Sequence, residues 1–104
     1  MLLEITSLCV HTGQETAFEQ AFQTTQPRIA RTTGYITHEL QRDVQQAGRY
    51  ALLIEWRDDT PARQEAAWRT PLQAFLTAPP DTRHYELIAG RGIPPQVPAL
   101  RYPD

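Results

Sequence analysis

Two stretches of the chain carry apolar residues on both alternating sets of positions, and they frame everything else. In Leu2–Val10, Leu3, Ile5 and Cys9 occupy one set and Leu2, Leu8 and Val10 the other. In Arg49–Trp56, Tyr50, Leu52, Ile54 and Trp56 share one set, with Ala51 and Leu53 on the other until Glu55 interrupts it. Strands that are apolar on both faces are covered on both, so these two read as central strands of one sheet. The second is half of a longer unit, Gly34–Trp56, which reads as two strands joined by the Gly-containing loop Gln45–Gly48. Loop length sets the register. With four loop residues Val44 pairs with Arg49, His38 lies opposite Glu55 and Leu40 opposite Leu53, whereas a five-residue loop places His38 opposite Ile54.

Between the first strand and the hairpin the period changes from two to helical. Thr12-Gly13-Gln14-Glu15 has the spacing of a capping box, and Phe18, Ala21, Phe22, Thr25 and Ile29 then form one stripe with Glu15, Glu19, Gln20 and Gln23 largely off it. Pro27 lacks an N–H, so a kink is predicted there, with a last turn through Arg31. After Trp56, Thr60-Pro61 is an N-cap followed by an N1 proline, predicting a second helix through Ala66, Ala67 and Trp68. Thr70-Pro71 repeats that grammar before a short amphipathic turn with Leu72, Phe75 and Leu76. Arg83–Ala89 alternates again and is a fourth strand, and the proline-rich end has no periodicity.

The order β-α-β-β-α-β is that of an α+β, ferredoxin-like fold, with a four-stranded antiparallel sheet and both helices on one face. Residues 1–90 make the domain and residues 91–104 a proline-rich extended tail. The other face of the sheet would expose roughly several hundred Å² of apolar surface, which soluble monomers rarely tolerate. A homodimer packed through that open face removes the exposure.

Composition narrows the function classes. A chain of 104 residues holds one core. Ten basic against twelve acidic residues give a net charge of −2, with no basic cluster to follow a phosphate backbone, so no nucleic-acid partner is expected. The single cysteine, Cys9, allows no internal disulfide and suits a reducing compartment. The start lacks the pattern of a signal peptide, and no apolar run approaches the length of a membrane span. A soluble, cytoplasmic protein is the expectation.

The phrases GYITHELQRD and RYALLIEW, the Thr-Pro-Leu-Gln-Ala-Phe turn and the HYE of the last strand together resemble the antibiotic-biosynthesis monooxygenase domain family, within the dimeric α+β barrel superfamily. The resemblance covers about residues 2 to 89. It implies a homodimer with a cavity between sheet and helices in each subunit. Some members of the family oxidise aromatic phenols or quinols with dioxygen and no cofactor, and others open haem. Haem-degrading members use an Asn in the first strand, a Trp in the second helix and a ligating His about three turns later. Trp68 fits the second role, but the first strand here has no Asn and RTPLQAFLTAPP after Trp68 has no His. The resemblance therefore implies a cofactor-independent monooxygenase of a small phenol- or quinol-like substrate. The alternative is a non-catalytic small-molecule-binding or stress-related domain of the same fold.

Three residues are the candidate catalytic groups. His38 opposite Glu55, in the four-residue-loop register, would be a general base held in one tautomer by a carboxylate, or else a cross-strand polar pair. His84, in the last strand beside Tyr85, would transfer a proton at the cavity or sit hydrogen-bonded at the dimer seam. Trp68, with Phe22 and Phe75, is the candidate wall for a small aromatic ligand, although a helical Trp is equally a core residue. The three histidines sit on different elements without a Cys or i, i+4 partner, so no metal site is expected.

Overall fold

A computed structural model describes residues 1–57 and 69–90. The helix start at Thr60-Pro61, Trp68 and the tail 91–104 lie outside the described residues. The element order is β1 (Leu2–Cys9), α1 (Glu15–Ala30), β2 (Tyr35–Arg42), β3 (Arg49–Trp56), α2 (Thr70–Gln73) and β4 (Asp81–Glu86). The strands form one antiparallel sheet in the order β2-β3-β1-β4, so the two strands apolar on both faces are the central pair.

The even-numbered positions of β1 and β3 point toward the helices. Leu8, Val10, Tyr50, Leu52, Ile54 and Trp56 pack there against Phe18, Phe22 and Ile29 of α1 and Leu72 of α2. The helical period thus buries the predicted stripe, including Thr25, whose hydroxyl donates to the Ala21 carbonyl at 3.0 Å. The start of α1 differs from the capping-box expectation. Gln14 occupies the N-cap without a side-chain bond, and the Glu15 carboxylate accepts from the Gly13 N–H at 2.9 Å. Thr12 therefore lies two residues before the N-cap position. The helix continues through Pro27 to Ala30, and the Arg31 N–H closes it on the Pro27 carbonyl.

The hairpin takes the five-residue-loop register, with His38 opposite Ile54, Leu40 opposite Leu52 and Arg42 opposite Tyr50. The His38–Glu55 pair of the four-residue-loop register therefore does not form, and Glu55 lies opposite Thr37. The reason is Asp43, whose carboxylate accepts from the N–H groups of Gln45 and Gln46 at 2.8 and 3.2 Å, starting the turn one residue before the position assigned from Gly48. Asp43 still reaches across to Arg49 through its N–H, which leaves Val44 in the loop and 95% exposed. Gly48 closes the loop at φ 84°, and a Cβ there would stand 2.9 Å from the Val10 carbonyl oxygen.

A second irregularity lies at the start of β2, where the register shifts between Tyr35 and Thr37. An extra residue in one strand reverses the facing of what precedes it. Tyr35 and His38, three positions apart, consequently both turn toward the helices. The last strand begins at Asp81, two residues before the expected Arg83, and ends at Glu86. The opposite sheet face carries Leu3, Ile5, Cys9, Ala51, Leu53 and Glu55, each only partly buried, and Tyr85, which is 48% exposed. Among the described residues, no helix is long and apolar enough to cross a membrane.

Candidate active site

One row of residues runs across all four strands on the helix-facing side of the sheet. His38 of β2 pairs with Ile54 of β3, Ile54 with Glu4 of β1, and Glu4 with His84 of β4. Three inter-strand spacings separate the two imidazole-bearing positions, about 14 Å. Ile54 is wholly buried between the two polar ends of this row. The sheet therefore carries two imidazoles on its helix-facing side, one on each edge strand.

At the β2 end His38 is held on both ring nitrogens. Its Nδ1 is 2.6 Å from the Tyr35 hydroxyl and its Nε2 is 2.9 Å from Oε1 of Gln26. A carboxamide oxygen can only accept, so in this arrangement Nε2 carries the proton and the Tyr35 O–H donates to Nδ1. Burial lowers the His38 pKa below its ordinary value of 6.5, because desolvation disfavours the imidazolium. The ring meets Phe22 edge-on, with centroids 6.0 Å apart.

His38, Phe22, Gln26 and Leu40 line a cleft of about 290 Å³ between α1 and β2. Its far wall is a charged cluster. The Arg42 guanidinium donates to both oxygens of Glu19, at 2.9 and 2.8 Å from Nη2, and the Tyr50 hydroxyl donates to Glu19 Oε2 at 2.6 Å. The Tyr50 hydrogen bond, then Arg42, holds the Glu19 carboxyl below the usual carboxylate range. Burial, then the adjoining carboxylate, raises the Tyr50 phenol. Glu19 thus stays ionised and Tyr50 protonated around neutrality, and the wall keeps a fixed pattern of donors.

At the other end the buried group is Glu4, 2% exposed. Oε1 accepts from Trp56 Nε1 at 3.1 Å and from His84 Nε2 at 3.3 Å, and Oε2 accepts from Arg69 Nη2 at 2.7 Å. These donors come from β3, from the residue preceding α2, and from β4. One row further along, the hydroxyls of Thr6 and Thr82 are 2.9 Å apart.

The sequence-predicted residues divide accordingly. His38 and Phe22 come together in the cleft. His84 lies on the helix-facing side, bonded to Glu4. Glu55 lies on the open face opposite Leu3 and Thr37, because the Asp43 turn places it one position away from His38. Phe75 packs edge-to-face against Phe18 at 6.1 Å and is not among the residues lining the cleft. Trp68 lies outside the described residues. Glu4, Gln26 and Tyr35 went unrecognised in the sequence. A carboxylate on the inward set of a central strand was the available signal for Glu4, since such a charge is buried only with partners. Among the described residues, no three His, Cys, Asp or Glu side chains are grouped to hold a metal ion.

Comparison with known proteins finds related chains. The family model described as antibiotic biosynthesis monooxygenase matches residues 1–74. The uncharacterized protein YczJ of Bacillus subtilis is 32% identical over 93 residues, covering 83% of this chain and 98% of its own. A crystal structure of a candidate antibiotic biosynthesis monooxygenase from Bordetella bronchiseptica superposes with a TM-score of 0.75 at 27% identity, over 85% of this chain and 97% of that one. SnoaB, a cofactor-independent oxygenase from Streptomyces nogalater, shares the fold with a TM-score of 0.64 at 23% identity, over 89% and 96% of the two chains.

Proposed function

The chain belongs to the antibiotic biosynthesis monooxygenase family, and on that premise we propose that it oxidises a small phenol- or quinol-like aromatic molecule with dioxygen and without a cofactor. The observation that carries this reading is the cleft that His38, its pKa lowered by burial, lines together with Phe22 and Leu40. A volume of about 290 Å³ is at the lower end for ligand pockets and suits one or two fused rings.

The two partners of His38 suit a base that must change tautomer. A substrate hydroxyl entering the cleft takes the place of the Gln26 carboxamide at Nε2. The Tyr35 hydroxyl both donates and accepts, so it can receive an Nδ1–H once the ring proton has moved, leaving the Nε2 lone pair to take the substrate proton. The resulting substrate anion passes one electron to dioxygen. Radical and superoxide then join through a carbon–oxygen bond, the peroxide takes back the proton held on His38, and the hydroperoxide loses water to leave a quinone. The protein supplies deprotonation, positioning and exclusion of water.

Dioxygen uptake against a panel of quinols and anthrones tests this. Uptake with at least one member is expected, reduced about a hundredfold or more in His38→Ala, as for loss of a general base. In the wild type, uptake should fall on acidification through a midpoint below 6.5, because the lowered His38 pKa keeps the base free until then. No uptake with any member would refute the reading, and uptake unchanged in His38→Ala would remove that residue from it.

The same family reading includes a homodimer through the open sheet face. What supports it is the partly exposed central apolar set of Leu3, Ile5 and Leu53, continued by Tyr85 and by Leu87 at 46% exposure. Light scattering at micromolar concentration should report twice the 11.9 kDa of one chain. A monomer mass would refute the assembly.

A further inference from the structure

Glu4 takes no part in the chemistry proposed at His38. Taking a carboxylate out of water costs several kcal/mol even after relaxation. Glu4 faces the apolar core beside Ile54, where a branched aliphatic side chain would pack without that cost. Its two oxygens are instead occupied by three N–H donors from three separate parts of the chain. Arg69 supplies the compensating charge, so Glu4 remains an acceptor. Because an ionised carboxylate cannot donate, the His84 nitrogen against it, Nε2, must carry hydrogen. The other nitrogen, Nδ1, makes no hydrogen bond among the described residues, and the His84 side chain is 34% exposed. An imidazole is thus fixed through one nitrogen by a buried carboxylate, on a side chain that is partly open to solvent.

We propose that Glu4 and His84 form a second acid–base site, on the edge of the sheet opposite the His38 cleft, which takes the proton of a neutral, weakly acidic hydroxyl such as a phenol. The O–H bond breaks, the proton moves to Nδ1 of His84, and the electron pair stays on the ligand oxygen. No oxidant or reductant takes part. Glu4 then faces an imidazolium. The surrounding charges select the ligand class. Glu86 follows His84 by two positions on the same face of β4, so a permanent polyanion meets repulsion that a neutral acid avoids on approach. Leu2, opposite Glu86 and partly buried, offers an apolar surface beside the dyad.

The probe is 4-nitrophenol, whose ionisation near neutrality is read from the colour of its phenolate. The protein used is the full chain carrying His38→Gln, so that the imidazole of the cleft contributes nothing. The bound phenol is expected to ionise about one pH unit below the free compound, a tenfold shift in its ionisation equilibrium. Adding His84→Gln should return it to the free value. Adding Glu4→Gln should do the same while circular dichroism shows the fold kept, and adding His11→Gln should change nothing. Failure of 4-nitrophenol to bind, or a shift that survives His84→Gln, overturns the proposal. The result is independent of the His38 reading, since dioxygen uptake can fail while this shift persists, and the reverse.

Discussion

Replacing Glu4 by Ala should lower the unfolding free energy by about 3 kcal/mol, the lower part of the range for breaking a buried ion pair. The Glu4 side chain is 3% exposed and its Arg69 partner 30%, so part of the guanidinium can recover hydration while the indole N–H of Trp56 cannot. For a domain whose total stability is of the order of 5–15 kcal/mol this is a large fraction. Glu4→Gln should cost less, because the amide oxygen still accepts from Trp56. Removing both charges with Glu4→Leu and Arg69→Met should recover part of the loss, since it removes the charge left behind while the Trp56 N–H stays unpaired. Urea titrations with unchanged slope would read these differences. A Glu4→Ala protein within about 0.5 kcal/mol of wild type, the range of ordinary surface substitutions, would show that the carboxylate is not desolvated in solution.

Glu4 also marks where the sequence was legible and where it was not. The span Arg49–Trp56 was read with its observed bounds, and Leu2–Val10 to within one residue, because an apolar residue on either set has only the sheet interior or a partner surface to go to. The same counting passed over Glu4, because a pattern of apolar positions registers a charge only as an interruption. Two loop lengths fit the sequence equally, and each gives a different register. It is decided by the short side chain of Asp43, which turns the chain with its own carboxylate, a local chemistry that periodicity does not contain. The facing of Tyr35 depends on the register shift beside Ile36. Nothing in YITHE announces it, so the Tyr35–His38 contact was beyond reach while His38 itself was not. Residue types indicated the candidate chemistry, but bulge and turn geometry determined which of them meet.

The dependence of the cleft on the core behind it gives the last large effect. Phe18 is fully buried, and its ring lies 4.8 Å from that of Tyr50, whose hydroxyl in turn holds Glu19 and, through it, Arg42. Phe18→Ala should cost about 3–5 kcal/mol, combining lost transfer energy with a cavity that a sheet and one long helix cannot close. At roughly 4–8 °C per kcal/mol for a domain near this size, the melting temperature should fall by about 15 °C or more. Phe18→Leu fills most of the space and should lose much less. The two variants separate stability from positioning. If Phe18→Leu keeps most of the stability but weakens substrate binding in the cleft, the ring acts on the site by fixing Tyr50. If binding follows the melting temperature in both variants, Phe18 is filling space and the Tyr50–Glu19–Arg42 wall stands without it.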